Sequence, residues 1–308
     1  MSTIRLGASQ LLGPILLGAV TLSYSCVKEV LLNSNQNGLY VLNCILTNDS
    51  IQSLSLTRSV SVSGNFIYHG VPDAEVSLWK GSELVGSFRK VGYDKWELNY
   101  TPVSGNGYSI EALLPDGVKL SASTIMPQML AIAPQHDLDS HLSRHFKQQT
   151  FGSPCWVMIL STDSILHPNA KPDKSSQLKV HLGTDHPLAD RFNQDGNLLS
   201  ILPNADTPAF LFYIRLGSME ADALYEPISF RLQTNFSNHT LICFRSASAE
   251  YDKYLKTSFQ KILLRRDESD PIIWFDETRV FSNVENGVGI FAAYADQYFI
   301  YNSDDNSR

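Results

Sequence analysis

The chain has 308 residues, enough for two modest domains rather than one small core. Its formal charge is -7, and no basic stripe interleaves with aromatic residues, so nucleic acid is not expected as a partner. No apolar run reaches the roughly 20 residues that a membrane-spanning helix requires.

Residues 1–25 read as an export signal. Arg5 is the single charge there, Leu11 to Leu22 are apolar or small, and Gly13, Pro14 and Gly18 interrupt the run. Leu22-Ser23-Tyr24-Ser25-Cys26 resembles a bacterial lipoprotein cleavage signal, with the small Ser25 directly before the cysteine. Cys26 is therefore expected to carry lipid as the first residue of the mature protein. The competing reading is an ordinary cleaved signal followed by a plain cysteine. Acyl chains on Cys26 would anchor the protein, since each buried CH2 contributes about 0.8 kcal/mol. Residues 26–37, which include the polar run Asn33-Ser34-Asn35-Gln36-Asn37, read as a tether.

Residues 38–128 read as an antiparallel β-sandwich of the immunoglobulin or transthyretin type. Trp96, Leu98 and Tyr100 alternate with Lys95, Glu97 and Asn99, the two-residue period of a half-buried strand. Val76 and Leu78 alternate with Glu75 and Ser77. Turns are expected at Val71-Pro72-Asp73, Ser104-Gly105-Asn106-Gly107 and Pro115-Asp116-Gly117. The last joins Tyr108–Leu114 to Val118–Ile125 as a hairpin.

Residues 129–152 have weak periodicity and read as a linker. Residues 153–301 read as a second β-rich domain. Strands are expected at Trp156–Leu160, around Leu178, Val180 and Leu182, and at Phe210–Leu216, Ile228–Leu232 and His239–Phe244. One helix stands out near 249–264, where Tyr251, Tyr254, Leu255, Phe259, Ile262 and Leu263 recur at helical spacing. Ser248 is its expected cap, and Glu250 and Asp252 suit the positive end of its dipole. Gly287 and Gly289 flank Val288 before an apolar strand, which predicts a tight turn or a close backbone approach. Residues 302–308 are polar and read as a disordered tail.

Chemistry is sparse along the chain. Of four cysteines, Cys44 and Cys243 lie in apolar strand patterns and read as small hydrophobes; with Cys155 they permit at most one disulfide. His141 and His145 would share one helix face, with Asp137 or Asp139 adding oxygen, but a solvated linker explains that segment as well. Asp195 in Asn193-Gln194-Asp195-Gly196-Asn197 offers part of a calcium loop but lacks the glutamate that would complete it, so an Asx-Gly turn is expected. No metal, cofactor or catalytic residue is assigned. No hydrolase, zincin, P-loop or dinucleotide signature occurs.

Several segments together resemble one family. They are Tyr40-Val41-Leu42-Asn43-Cys44-Ile45-Leu46, Pro72-Asp73-Ala74-Glu75-Val76-Ser77-Leu78, the Tyr251/Tyr254/Leu255 helix and Asn283-Val284-Glu285-Asn286-Gly287-Val288-Gly289-Ile290-Phe291. With Cys26 they are similar to the domain of unknown function 4249 family of Bacteroidota outer-membrane lipoproteins. Ala292 stands where that pattern has glycine. The resemblance implies an envelope protein encoded beside TonB-dependent receptors, and it implies no reaction.

The expected function is therefore ligand binding, or service to a TonB-dependent receptor in nutrient uptake, by a non-enzymatic protein anchored to the outer membrane through Cys26. Lys28-Glu29 favours the outer leaflet. The alternatives are a structural or adhesive surface protein and an envelope hydrolase.

Overall fold

Alternation decides most of the secondary structure. The computed structural model describes residues 38–62, 65–135, 143–150, 152–161, 182–189, 213–218, 226–234, 240–266 and 280–301. Its strands up to residue 125 are β1 (Leu39–Leu46), β2 (Ile51–Val62), β3 (Asn65–Gly70), β4 (Glu75–Lys80), β5 (Glu83–Ser87), β6 (Arg89–Lys90), β7 (Lys95–Asn99), β8 (Gly107–Leu113) and β9 (Lys119–Ile125). There follow β10 (Ile132–Gln135), β11 (Ser143–Gln148), β12 (Cys155–Ser161), β13 (Gly183–Thr184), β14 (Tyr213–Leu216), β15 (Ile228–Gln233), β16 (Thr240–Ala247), helix α1 (Ala249–Arg266) and β17 (Val288–Tyr301). The protein is mainly β, as the sequence leads one to expect.

The strands form three sheets. The largest runs β14-β12-β16-β17-β1-β2-β7-β6, with β3 also on β2, and holds nine strands. Two four-stranded sheets run β5-β4-β8-β9 and β10-β11-β15-β13. In β8, Tyr108, Ile110 and Ala112 point inward and the intervening residues face out. They share a core with Leu42, Leu54, Leu56 and Phe291 of the large sheet and Val76, Leu78 and Leu120 of the smaller one. A second core joins Phe146, Phe230 and Leu232 to Val157, Ile159, Ile242 and Phe244. Each fully buried side chain of this size contributes about 1.5–3 kcal/mol.

Strand β17 is covered on both faces, which is why its start is continuously apolar. Phe291, Ala293 and Ala295 enter the first core, whereas Ile290 and Ala292 pack under α1 with Trp156 and Tyr251. It pairs parallel to β1, with Val41 beside Val288, and antiparallel to β16. At Gly289 the backbone of β17 lies against that of β1: its φ is +124°, and a Cβ there would sit 2.0 Å from the Leu42 carbonyl oxygen. The positive φ and the close approach that glycine permits both occur here, inside the strand rather than in a turn.

One expectation changes. Residues 129–152, read as a linker, contain β10 and β11, and strands from either side of that segment share the nine-stranded sheet. Alternation in β11 is disguised, because its inward positions are Phe146 and Gln148. Gln148 is buried by pairing with the His186 ring at 2.8 Å. Cys44, Cys155 and Cys243 are free and buried. Burial pushes all three thiols up, so none is held as a thiolate. Residues 1–37, the run 178–181 and the tail 302–308 lie outside the described residues.

Candidate functional site

The Pro115-Asp116-Gly117 turn sets the register of the β8–β9 hairpin. Ser109 and Ser123 are equidistant from Asp116 and stand directly opposite each other, as do Gly107 and Ile125. Inward burial of Tyr108 and Ile110 turns Gly107 and Ser109 outward. Trp79 on β4 is opposite Ser109, and Leu84 on β5 is opposite Trp79, so a row crosses the whole sheet as Leu84, Trp79, Ser109 and Ser123. At the end of this row lies an open groove of about 380 Å3. Gly81, Gly107, Ser109, Ser123 and Ile125 line it, with Tyr108, Thr124 and Glu250. No neighbouring atom lies within 4 Å of where a Cβ on Gly107 would project, so its floor is bare backbone.

Glu250 belongs to the first turn of α1, and that turn is pinned from several directions. The Ser248 backbone N–H donates to the Ala293 carbonyl (2.9 Å), and its hydroxyl oxygen accepts the Tyr251 N–H (3.2 Å) and the Ala293 N–H (3.2 Å). This is the cap expected from the sequence, and it also ties the helix to β17. The next two residues are held by arginines. Arg245 Nη1 donates to the Tyr251 hydroxyl (3.2 Å). Arg215 donates from Nε and Nη2 to the two Asp252 carboxylate oxygens (2.7 and 2.9 Å), and the Trp156 indole adds a third bond (3.0 Å). Burial alone would raise the Asp252 carboxyl; Arg215, Lys256 and the Trp156 indole outweigh it and hold the group below its ordinary value. With its neighbours fixed, Glu250 accepts the Thr124 hydroxyl at 2.7 Å across the β9 edge.

The groove thus presents hydroxyls from adjacent strands, one carboxylate and a flat glycine floor, with Ile125 as an exposed apolar rim. Among the described residues no lysine or arginine lines it. These groups can bind a small polar molecule.

A family model described as "Domain of unknown function (DUF4249)" matches residues 27–298. The chain belongs to the DUF4249 family. Comparison with curated proteins found no match. Among the described residues of this DUF4249 chain, no helix is long and apolar enough to cross a membrane.

The residues singled out in the sequence are not brought to the groove. Cys26, His141 and Asp195 lie outside the described residues. His145 sits on β11 opposite Gln135 and Arg231, so the helical spacing expected to align it with His141 does not reach it. Among the described residues no cluster of three or more His, Cys, Asp or Glu side chains forms a metal site. In the sequence Gly107 reads only as the end of a turn, and Ser109 and Ser123 belong to no motif. The hairpin signal could have found the serine pair, because the turn alone sets which residues face each other. Glu250 was legible only as a helix-dipole acid; no local pattern links it to Thr124.

Proposed function

We propose that the protein is a non-enzymatic lipoprotein of the bacterial outer membrane, anchored through Cys26, that binds a small ligand in service of a TonB-dependent receptor. The groove at the β8–β9 edge carries the binding reading: a concave, largely preformed site of the size that small ligands use, on a rigid sheet rather than on a loop. The anchor reading is supported by the signal-like run before Cys26 and by the family match, which begins at residue 27, directly after that cysteine. The receptor and the Bacteroidota source come from the family resemblance alone. Residues 38–128 form the carrying module in this proposal, as a sandwich of the immunoglobulin or transthyretin type. Its support is the single core shared by β1, β2 and β7 with β4, β8 and β9.

Tagged protein purified from mildly solubilised outer membranes should bring a TonB-dependent receptor with it in stoichiometric amount. Recovery of the protein alone, even after crosslinking, overturns the receptor role and moves a structural or adhesive role forward. Cys26→Ala should move the protein from the membrane to the soluble fraction; unchanged membrane partitioning overturns the anchor.

A further inference from the structure

We infer that the groove at the β8–β9 edge binds a neutral saccharide, a deduction that rests on the ligand-binding reading above. Three features of the lining select this class. The first is the mixture of hydrogen-bonding groups. Ser109 and Ser123 face each other across two strands, and each hydroxyl both donates and accepts. The Glu250 carboxylate only accepts, and one of its oxygens is already taken by Thr124. A sugar hydroxyl matches this mixture because it too donates and accepts. The carboxylate can take hydroxyl protons in charge-assisted bonds, while the serines either donate or accept as each neighbouring hydroxyl requires. An ammonium ligand has donors alone and would leave the serine protons unmatched.

The second feature is charge. Among the described residues no cation lines the groove, so phosphate, sulfate and carboxylate ligands find no counter-charge among them. One carboxylate with hydroxyls falls short of the six to eight oxygens that calcium takes, so a metal ion is not the occupant.

The third feature is shape. Gly107 leaves a flat patch of backbone beside exposed Ile125, a surface against which the C–H face of a pyranose ring can lie. The outward row continues one strand further to half-buried Trp79. A lipid or a flat aromatic ligand would need apolar walls on both sides, and the groove supplies Ile125 on one.

The test uses the full chain and a panel of neutral oligosaccharides built from glucose, mannose, galactose and xylose units, screened by array and then titrated calorimetrically. At least one oligosaccharide should bind, and its affinity should be unchanged at high salt, since no ion pair is involved. Gly107→Phe fills the floor from a position where a side chain meets no neighbour, and it should abolish binding while leaving the melting temperature near that of the parent. Ser109→Ala with Ser123→Ala should weaken binding at least about ten-fold. Binding that survives Gly107→Phe places the sugar elsewhere and overturns the assignment. Retention of amines alone, lost at high salt, overturns the saccharide class and leaves the ligand-binding reading standing. If no sugar, amine or other small molecule shifts the melting temperature, both fall together.

Discussion

Arg245 on β16 and Asp296 on β17 stand directly opposite each other and close a two-pronged ion pair, both N···O distances being 2.7 Å. Asp296 is buried and Arg245 half-buried, and the Tyr298 hydroxyl donates to the same carboxylate at 2.7 Å. The Arg245 guanidinium carbon also lies 3.7 Å from the centre of the Tyr294 ring. Burial opposes the charge on Arg245, and Asp296 more than offsets it, so the guanidinium stays protonated. The two strands are joined here by charge, at a place where the surrounding core is apolar.

Removing one partner leaves the other charged and without its counter-ion in a poorly solvated site. Asp296→Ala should therefore cost about 3–5 kcal/mol in denaturant unfolding, while Arg245→Met combined with Asp296→Leu should recover most of that loss. A double variant no more stable than the single one would mean that the pair contributes more than mutual neutralisation.

Gly289→Ala should destabilise the protein by at least about 1–3 kcal/mol, since the new methyl group would collide with the Leu42 carbonyl and the residue would keep a positive φ. Gly107→Ala is the control, with open space at the same atom. Equal melting temperatures for both variants would refute the close-approach account of β1 and β17.

Ser248→Ala removes the oxygen that accepts the Tyr251 and Ala293 N–H groups, and should cost about 1 kcal/mol or somewhat more because both bonds are buried. Since Ser248 also orients the turn that bears Glu250, hydrogen exchange should quicken over residues 249–252 before it does in β16. Uniform protection across both would show that the cap is dispensable.

His186 gives the fold an acid-sensitive point. Its Nδ1 accepts the Leu188 N–H at 3.0 Å, so Nε2 carries the proton and donates to Gln148 at 2.8 Å. Burial pulls the ring down to about 4 from its ordinary 6.5. The folded state thus holds His186 neutral where the unfolded chain protonates it. Stability is full above pH 6.5 and declines as pH falls toward 4, with a slope from this group of at most about 1.4 kcal/mol per pH unit. His186→Gln should flatten stability over that window in urea titrations at stepped pH. An unchanged slope would assign the acid sensitivity to other groups.

The strands were legible wherever apolar and polar residues alternate, as at Val76 and Leu78 or Trp96 and Leu98, because one face of each is wet. The helix was legible from its aromatic spacing and from Ser248. Strand β11 was not, since Gln148 occupies an inward position that only its bond to His186 makes tolerable. The groove was half legible: hairpin geometry sets Ser109 against Ser123, but the approach of Glu250 to Thr124 depends on where α1 docks. The pairing of β1 with β17 left no local trace beyond Gly289, because parallel neighbours need not be close in sequence.

That pairing imposes an order of events on biosynthesis. Val41 waits for Val288, so β1 leaves the ribosome long before the strand that will lie beside it. Until then Leu42 and Cys44 lack the cover that Phe291 brings, and one edge of β1 offers its amides to any passing strand. A nascent chain stalled before residue 288 is therefore a natural client for holding chaperones and a ready target for quality-control proteases.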